Sequence, residues 1–352
     1  MEDNYIITQK TPVLVTGAAG FIGNRVVESL LQRGFQNVRC LVRATSDRSS
    51  LNAIFNKYPD SKGLVFDGNL LSSEDCRAAV KDIGVIFHLV AGRGKSFPNC
   101  FLNSVVTTRN LLDACLEEKS LKRFVNISSF SVYSNLKLRH GDVFDENCPL
   151  EDNFDERYDA YAYGKLKQDE IVEKYNKLHG IPCVTLRPGV VIGPGKVAIP
   201  AQVGVGTFGK FLHIGRFNKI PISYVDNCAD AIVLAGLVEG VDGEIFNVVD
   251  DNLPTSKYFL KQYKKNVKKF SSFYIPYWIF YLFCYAWEKY AIWSEWQLPP
   301  VFNRRYCSFV WKRQKYSNRK LKTRLGWSPG LSMEEALLRY FDYQKKAEEG
   351  YA

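Results

Sequence analysis

Tyr161 and Lys165 stand four residues apart in Tyr161-Ala162-Tyr163-Gly164-Lys165, at the head of a helical stretch. That spacing puts both on one helix face within contact range. An ammonium beside a phenol favours phenolate and lowers the tyrosine pKa from its reference near ~10, as proton transfer near neutrality requires. Tyr163, two residues from the lysine, points elsewhere. Such a pair is common on helices, so its weight depends on its surroundings. A second constellation is Gly17-Ala18-Ala19-Gly20-Phe21-Ile22-Gly23, set between the apolar run Val13–Thr16 and an amphipathic helix. The first glycine permits a tight turn, the second lets backbone approach a pyrophosphate, and the third lets helix pack on strand. Free N–H groups at the helix start face the anion. This is a dinucleotide cradle. At the end of the second strand, where an NAD site usually places an acid, the chain reads Val42-Arg43-Ala44, with Arg48 within reach. Arg43 beside a ribose 2′-phosphate favours NADP(H), with NAD(H) still open.

The elements that must position these groups follow from pattern. Apolar runs at Val13–Thr16, Val38–Val42, Leu64–Phe66, Val85–Leu89, Arg123–Ile127 and Cys183–Leu186 alternate with helical stretches at Phe21–Gln32, Asn103–Glu118 and Ala160–Leu178. Apolar on both faces, such strands belong to a covered parallel sheet. The expected fold class is α/β, a Rossmann-type doubly wound parallel sheet with a smaller C-terminal substrate lobe. Residues 1–188 form the NAD(P)-binding domain and 189–352 the lobe. The lobe is interleaved with the sheet around 218–250, through a strand at Ile222–Val225, a helix at Asn227–Val238 and a strand at Glu244–Val248.

The 352 residues carry a net charge of +10, unevenly placed. Lysine and arginine number 29 against 30 acids through residue 259, and 18 against 7 beyond it. A basic region so local suits an anionic partner or a solvated helical face. No nucleic-acid motif accompanies it, so nucleic acid is not expected. Within the aromatic and basic helical segment 260–324, residues 270–287 carry no charge, and nine of the fifteen residues 273–287 are aromatic. The run is short of the roughly 20 apolar residues a spanning helix needs, and contains Pro276. Two readings compete: an interfacial membrane contact, or a buried aromatic helix filling the lobe or an oligomer contact, the commoner fate of such stretches. Nine scattered cysteines without a CxxC pair indicate reduced thiols and no metal site. The polar N-terminus lacks a signal-peptide core, so the expected location is cytoplasmic, with peripheral contact at the inner face of the membrane open.

Three stretches in order carry a resemblance: Gly17–Gly23; the strand Arg123–Ile127 running into Ser128-Ser129-Phe130-Ser131; and Tyr161–Lys165 followed by Leu186-Arg187-Pro188-Gly189. Together they resemble the extended short-chain dehydrogenase/reductase family, which includes sugar-nucleotide epimerases and dehydratases and 3β-hydroxysteroid dehydrogenases. The resemblance implies a triad of Ser129, Tyr161 and Lys165, with Ser128 and Ser131 as alternatives for the hydroxyl. Tyr161 would be the acid/base, while Lys165 would hold the nicotinamide ribose and depress the tyrosine pKa. It further implies a dinucleotide site of Gly17, Ala19, Gly20, Phe21, Ile22, Gly23, Arg43, Asn69, Leu70, Leu89, Ala91 and Pro188 beside Tyr161 and Lys165. Three departures stand out. Asn69 replaces the family aspartate and would offer its amide oxygen to adenine. His88-Leu89-Val90-Ala91 replaces His-x-Ala-Ala, with His88 read as a packed histidine. Asn103-Ser104-Val105-Val106-Thr107 replaces Asn-Val-x-Gly-Thr.

The expected function is an NADP(H)-dependent oxidoreductase interconverting a hydroxyl and a carbonyl, on a small-molecule substrate that is lipid-like, lipid-linked or carries a diphosphate. The alternative is an NAD-dependent epimerase, less readily a dehydratase, of a nucleotide or polyprenyl-linked sugar. A non-catalytic protein on the same fold is a third reading, against which the intact triad argues. Membrane contact through 273–287 and a homodimer are both open.

Overall fold

A computed structural model describes residues 5–350 apart from 95, 197, 208, 296 and 299. Seven strands pair into one sheet with every neighbour parallel. They are β1 Val13–Thr16, β2 Val38–Val42, β3 Leu64–Asp67, β4 Val85–His88, β5 Arg123–Ile127, β6 Cys183–Pro188 and β7 Ile245–Val248. Across the sheet the order is β7-β6-β5-β4-β1-β2-β3. It reverses direction between β1 and β4, and the crevice outside the strand carboxyl ends at that point is where open α/β sheets bind ligands.

Alternation within β1 explains how both faces are covered. Val13 and Val15 join a core with α1 (Gly23–Gln32) and, later in the chain, the helix Val225–Leu237, whereas Leu14 faces the opposite core. That second core takes Leu111 and Leu112 from α2 (Thr107–Cys115) and Val172 from α3 (Ala160–His179). Two successive residues bury opposite ways because strand side chains alternate.

Several boundaries differ from the sequence reading. The helix expected over Asn103–Glu118 opens with a π turn at Leu102–Val106, and α2 proper runs from Thr107 to Cys115. The Thr107 and Thr108 hydroxyls bond back to the Asn103 and Ser104 carbonyls, a habit that bends helices. Ile222–Tyr224 does not join the main sheet; it pairs with Val190–Ile192 in a ribbon of its own. Val225, expected in that strand, begins α4 (Val225–Leu237). The 218–250 region returns to the main sheet through α4, β7 and the loop between them, whose Asp242 pairs with Arg123 of β5.

The aromatic run is half buried within the chain. Ser272–Ile275 is a strand, Pro276 is the N-cap, and α5 spans Tyr277–Trp293. Phe280 and Cys284 of α5 pack on Cys307, Val310 and Trp311 of α6 (Arg304–Trp311). The other side has no partner among the described residues: Trp278 is 63% exposed, Leu282 57% and Trp293 78%. No helix among the described residues is long and apolar enough to cross a membrane.

Part of the C-terminal basic excess is answered inside the chain. Arg304 pairs with Glu288, and Arg305 with Glu151, Asp152 and Glu156. Lys320 and Arg324 reach Glu244, and Lys322 reaches Asp251. Of these, Arg305 ties the lobe to residues 151–156, and the other pairs lie within the lobe. All nine cysteines are free and buried, and no metal-binding group of side chains occurs among the described residues.

Candidate active site

The carboxyl ends of β1, β4, β5 and β6 converge on one sheet edge. β1 runs into a turn in which Gly17 holds φ +71°, a left-handed conformation that favours glycine, and the Gly20 N–H donates to the Gly17 carbonyl at 2.9 Å. A Cβ on Gly23 would lie 2.2 Å from that carbonyl oxygen, so no side chain fits where α1 crosses the strand. The first ladder bond of the helix runs from Asn24 N–H to the Gly20 carbonyl, and Ile22 supplies no side-chain cap. The N–H groups of Phe21, Ile22 and Gly23 are thus the orphan donors of this helix end. A backbone cradle with free donors and an unscreened helix dipole fits a dinucleotide pyrophosphate. Ala19, Phe21 and Ile22 are half-buried along this turn, and Phe21 lies against Gly195 of the loop after β6. Leu89 and Ala91 are half-buried beyond β4, Leu70 is buried, and Pro188 is buried opposite Val248.

Two groups in this half of the site have partners within the chain. The Asn69 amide oxygen accepts from the Leu71 N–H at 3.0 Å, which closes a local turn and leaves one lone pair for a second donor. Arg48 is paired with Asp67, the residue across from Val42 in the β2–β3 register. Arg43 is exposed and has no ion-pair partner among the described residues.

Ser129 is separated from its two alternatives by what each hydroxyl touches. Ser128 is buried and donates to Asp169 at 2.8 Å. The Ser131 hydroxyl is buried without a partner among the described residues. Ser129 leaves β5 in extended conformation, accepts from the Ser131 N–H at 3.2 Å and lies close enough to the Tyr161 phenol to draw its pKa down. Arg157 holds this loop against the head of α3. It donates to the Ser131 and Tyr133 carbonyls at 2.8 and 3.1 Å and pairs with Asp159, the cap of α3. Tyr163 turns away, its ring 5.5 Å from Phe97 and 6.0 Å from Phe154.

Electrostatics here depart from the simple pair of phenol and ammonium. Burial holds the Tyr161 phenol above its ordinary value, against the Ser129 hydroxyl and the Arg93 guanidinium, which pull it down. Lys165 is buried and donates to the Ile127 carbonyl and to Gln168 Oε1. Burial pushes its ammonium down to about 8, with Asp169 opposing and Arg93 adding to that shift. The lysine expected to depress the tyrosine is thus engaged with strand backbone and an amide. Asp169 in turn joins Asn126, Ser128 and Arg187 in a buried network at 2.8 to 3.2 Å.

Gln168, Asp169, Arg157 and Arg93 were not read from the sequence. The first two had a signal: Tyr161, Lys165, Gln168 and Asp169 fall on one helix face, polar where a packed helix ordinarily turns apolar residues inward. Arg93 had none, because it comes from a loop.

Comparison with known proteins bears on the family and the fold. A Bacillus subtilis (strain 168) protein described as an uncharacterized UDP-glucose epimerase, YtcB, is 33% identical over 191 residues, covering 52% of this chain and 57% of that protein. A 3β-hydroxysteroid dehydrogenase/Δ5→4-isomerase of Mycobacterium tuberculosis is 30% identical over 247 residues, covering 67% of this chain and 62% of that one. The chain therefore aligns with only part of each relative's length. The crystal structure of UDP-glucuronic acid 4-epimerase from Bacillus cereus with NAD superposes with a TM-score of 0.69 at 22% identity, covering 97% of this chain and 100% of that one. From β1 to the end of β7, residues 13–248, the sequence matches the NAD dependent epimerase/dehydratase family, and the chain belongs to it.

Proposed function

We propose that the chain is an NADP(H)-dependent oxidoreductase that interconverts a hydroxyl and a carbonyl on a lipid-like or lipid-linked substrate. The observation that carries this reading is the Ser129–Tyr161 contact beside buried Lys165, at the sheet edge that bears the glycine turn. When bound, the nicotinamide supplies or accepts the hydride. The Gly17–Gly23 turn holds the pyrophosphate, Arg43 the 2′-phosphate, and Lys165 the ribose. Tyr161 exchanges a proton with the substrate oxygen. Ser129 donates a hydrogen bond to that oxygen and stabilises its developing negative charge. Arg93, exposed and close enough to influence Tyr161, Lys165 and Lys196, suits an anionic group on the substrate.

A second reading, an NAD-dependent epimerase of a nucleotide or polyprenyl-linked sugar, is favoured by the likeness to an epimerase structure containing NAD. Nucleotide content separates the two. Gently purified protein, denatured, is expected to release no nucleotide, and stripped protein to bind NADPH more tightly than NADH. Tightly retained NAD(H) would establish an internal redox cycle and overturn the first reading.

The unpartnered face of α5 supports a cytoplasmic protein resting on the inner face of a membrane, since exposed tryptophans prefer the headgroup region. The protein is expected to cosediment with phosphatidylglycerol vesicles, and Trp278→Ser with Trp293→Ser to release it. An unbound protein that elutes as a dimer would assign the face to a second copy instead.

A further inference from the structure

Between Lys165 and the glycine turn runs an unbroken chain of buried hydrogen bonds that the roles above do not use. Lys165 Nζ donates to Gln168 Oε1 at 2.9 Å. Gln168 Nε2 donates to Thr108 Oγ1 at 2.9 Å and to the Val90 carbonyl at 3.3 Å. His88 Nε2 lies 2.9 Å from the same Thr108 oxygen, and His88 Nδ1 lies 2.8 Å from Thr16 Oγ1. Thr16 is the last residue of β1, immediately before Gly17. All five side chains are buried.

Donor counting fixes every proton in this chain. The single Thr108 hydroxyl proton goes to the Ser104 carbonyl, so Thr108 Oγ1 only accepts from its other two partners. His88 must then carry its proton on Nε2, leaving Nδ1 to accept from the Thr16 hydroxyl. Burial and the neighbouring Lys165 push His88 down to about 3, which keeps it neutral and this tautomer in place. With its nitrogen committed to Thr108 and Val90, the Gln168 amide has one orientation, oxygen toward the lysine. Lys165 accordingly has two of its three N–H groups placed, on Ile127 and Gln168.

We infer that Gln168 is a positioning residue for Lys165, held in register by Thr108, His88 and Thr16, so that the lysine's geometry is tied to the turn that carries the dinucleotide. This rests on the reading that Lys165 holds the nicotinamide ribose. Thr108 follows the π turn of Leu102–Val106, and its hydroxyl stands between His88 and Gln168. The other groups that act on Lys165 are Asp169 one turn along α3, Arg93 from the loop after β4, and the neutral His88 on β4.

The test needs no substrate. Lys165 is followed by carbon-13 NMR of protein labelled at lysine Cε, its signal being the one missing from Lys165→Met. The wild-type midpoint is expected at about 8. Gln168→Leu removes an acceptor from the ammonium and is expected to lower that midpoint by about one pH unit, while Gln168→Glu adds a carboxylate and raises it. NADPH affinity is expected to fall about tenfold in Gln168→Leu, the scale of one hydrogen bond to a charged group. Should Gln168→Leu fail to fold, Thr108→Val carries the test, with a smaller shift in the same direction and about threefold weaker NADPH binding as the amide loses its anchor. A packing role alone lowers melting temperature without moving Leu and Glu variants in opposite directions. Unmoved midpoints with NADPH affinity within about twofold of wild type overturn the inference. Lys165→Met that binds NADPH normally overturns instead the ribose-binding role it rests on, and opposite shifts in the two Gln168 variants would still stand.

Discussion

Tyr161→Phe is expected to lower turnover by about a thousandfold or more, with NADPH affinity unchanged within about twofold. The substitution keeps the ring and removes only the hydroxyl, whose partner is Ser129. Nothing in the glycine turn touches that oxygen, which is why binding and turnover should separate. Burial raises the phenol's pKa, so the protonated form dominates through neutral pH. That form donates a proton, as carbonyl reduction requires; alcohol oxidation needs the phenolate. Reduction should therefore proceed readily near neutrality, and oxidation should quicken as pH climbs toward the raised pKa. NADPH consumption against a panel of carbonyl compounds measures the reduction, and NADP+ reduction by the corresponding alcohols across pH measures the oxidation. Turnover retained in the phenylalanine variant would remove Tyr161 from the chemistry.

Arg43→Asp is expected to reverse nucleotide preference. An arginine–phosphate contact is charge-assisted, and losing it to a repulsive carboxylate should weaken NADPH by about 10- to 100-fold. The new acid would instead accept from the ribose hydroxyls and strengthen NADH. Arg43 is the residue to change because Arg48, the other nearby cation, is already paired with Asp67. Titrating stripped protein with each nucleotide gives the ratio directly. An unchanged ratio would dismiss Arg43 as the selector.

Much of the frame was legible from residues alone. β1, β2 and β5 begin and end where their predominantly apolar runs do, because strands covered on both faces are mostly apolar; Arg39 in β2 and the hydrogen-bonded Asn126 in β5 are the polar exceptions. The edge strand β3 was less sharp: Leu64 is exposed and Asp67 is part of the strand, since an edge tolerates polar side chains. The π turn at Leu102–Val106 was hidden because a sequence pattern of period 3.6 carries no mark of one inserted residue. In the aromatic stretch, composition said that α5 must bury something, and Phe280 and Cys284 do so on α6. Composition could not say that Trp278 and Trp293 would be left outside.

The candidate site divides the same way. Sequence by itself determined the glycine turn, the Tyr161–Lys165 spacing and the hydroxyl cluster at the end of β5, because each depends on neighbours within one turn or one strand. Only the tertiary structure separates Ser128, which donates to Asp169, from Ser129, which faces Tyr161, and so supports proposing Ser129 for the hydroxyl. It also decided that Lys165 answers to Ile127 and Gln168, and that Arg48 is neutralised by Asp67. The physical reason is separation along the chain. A hydroxyl's partner, an ammonium's acceptor and a guanidinium's counter-ion are set by which distant strand or helix is brought alongside, and no local pattern encodes that meeting.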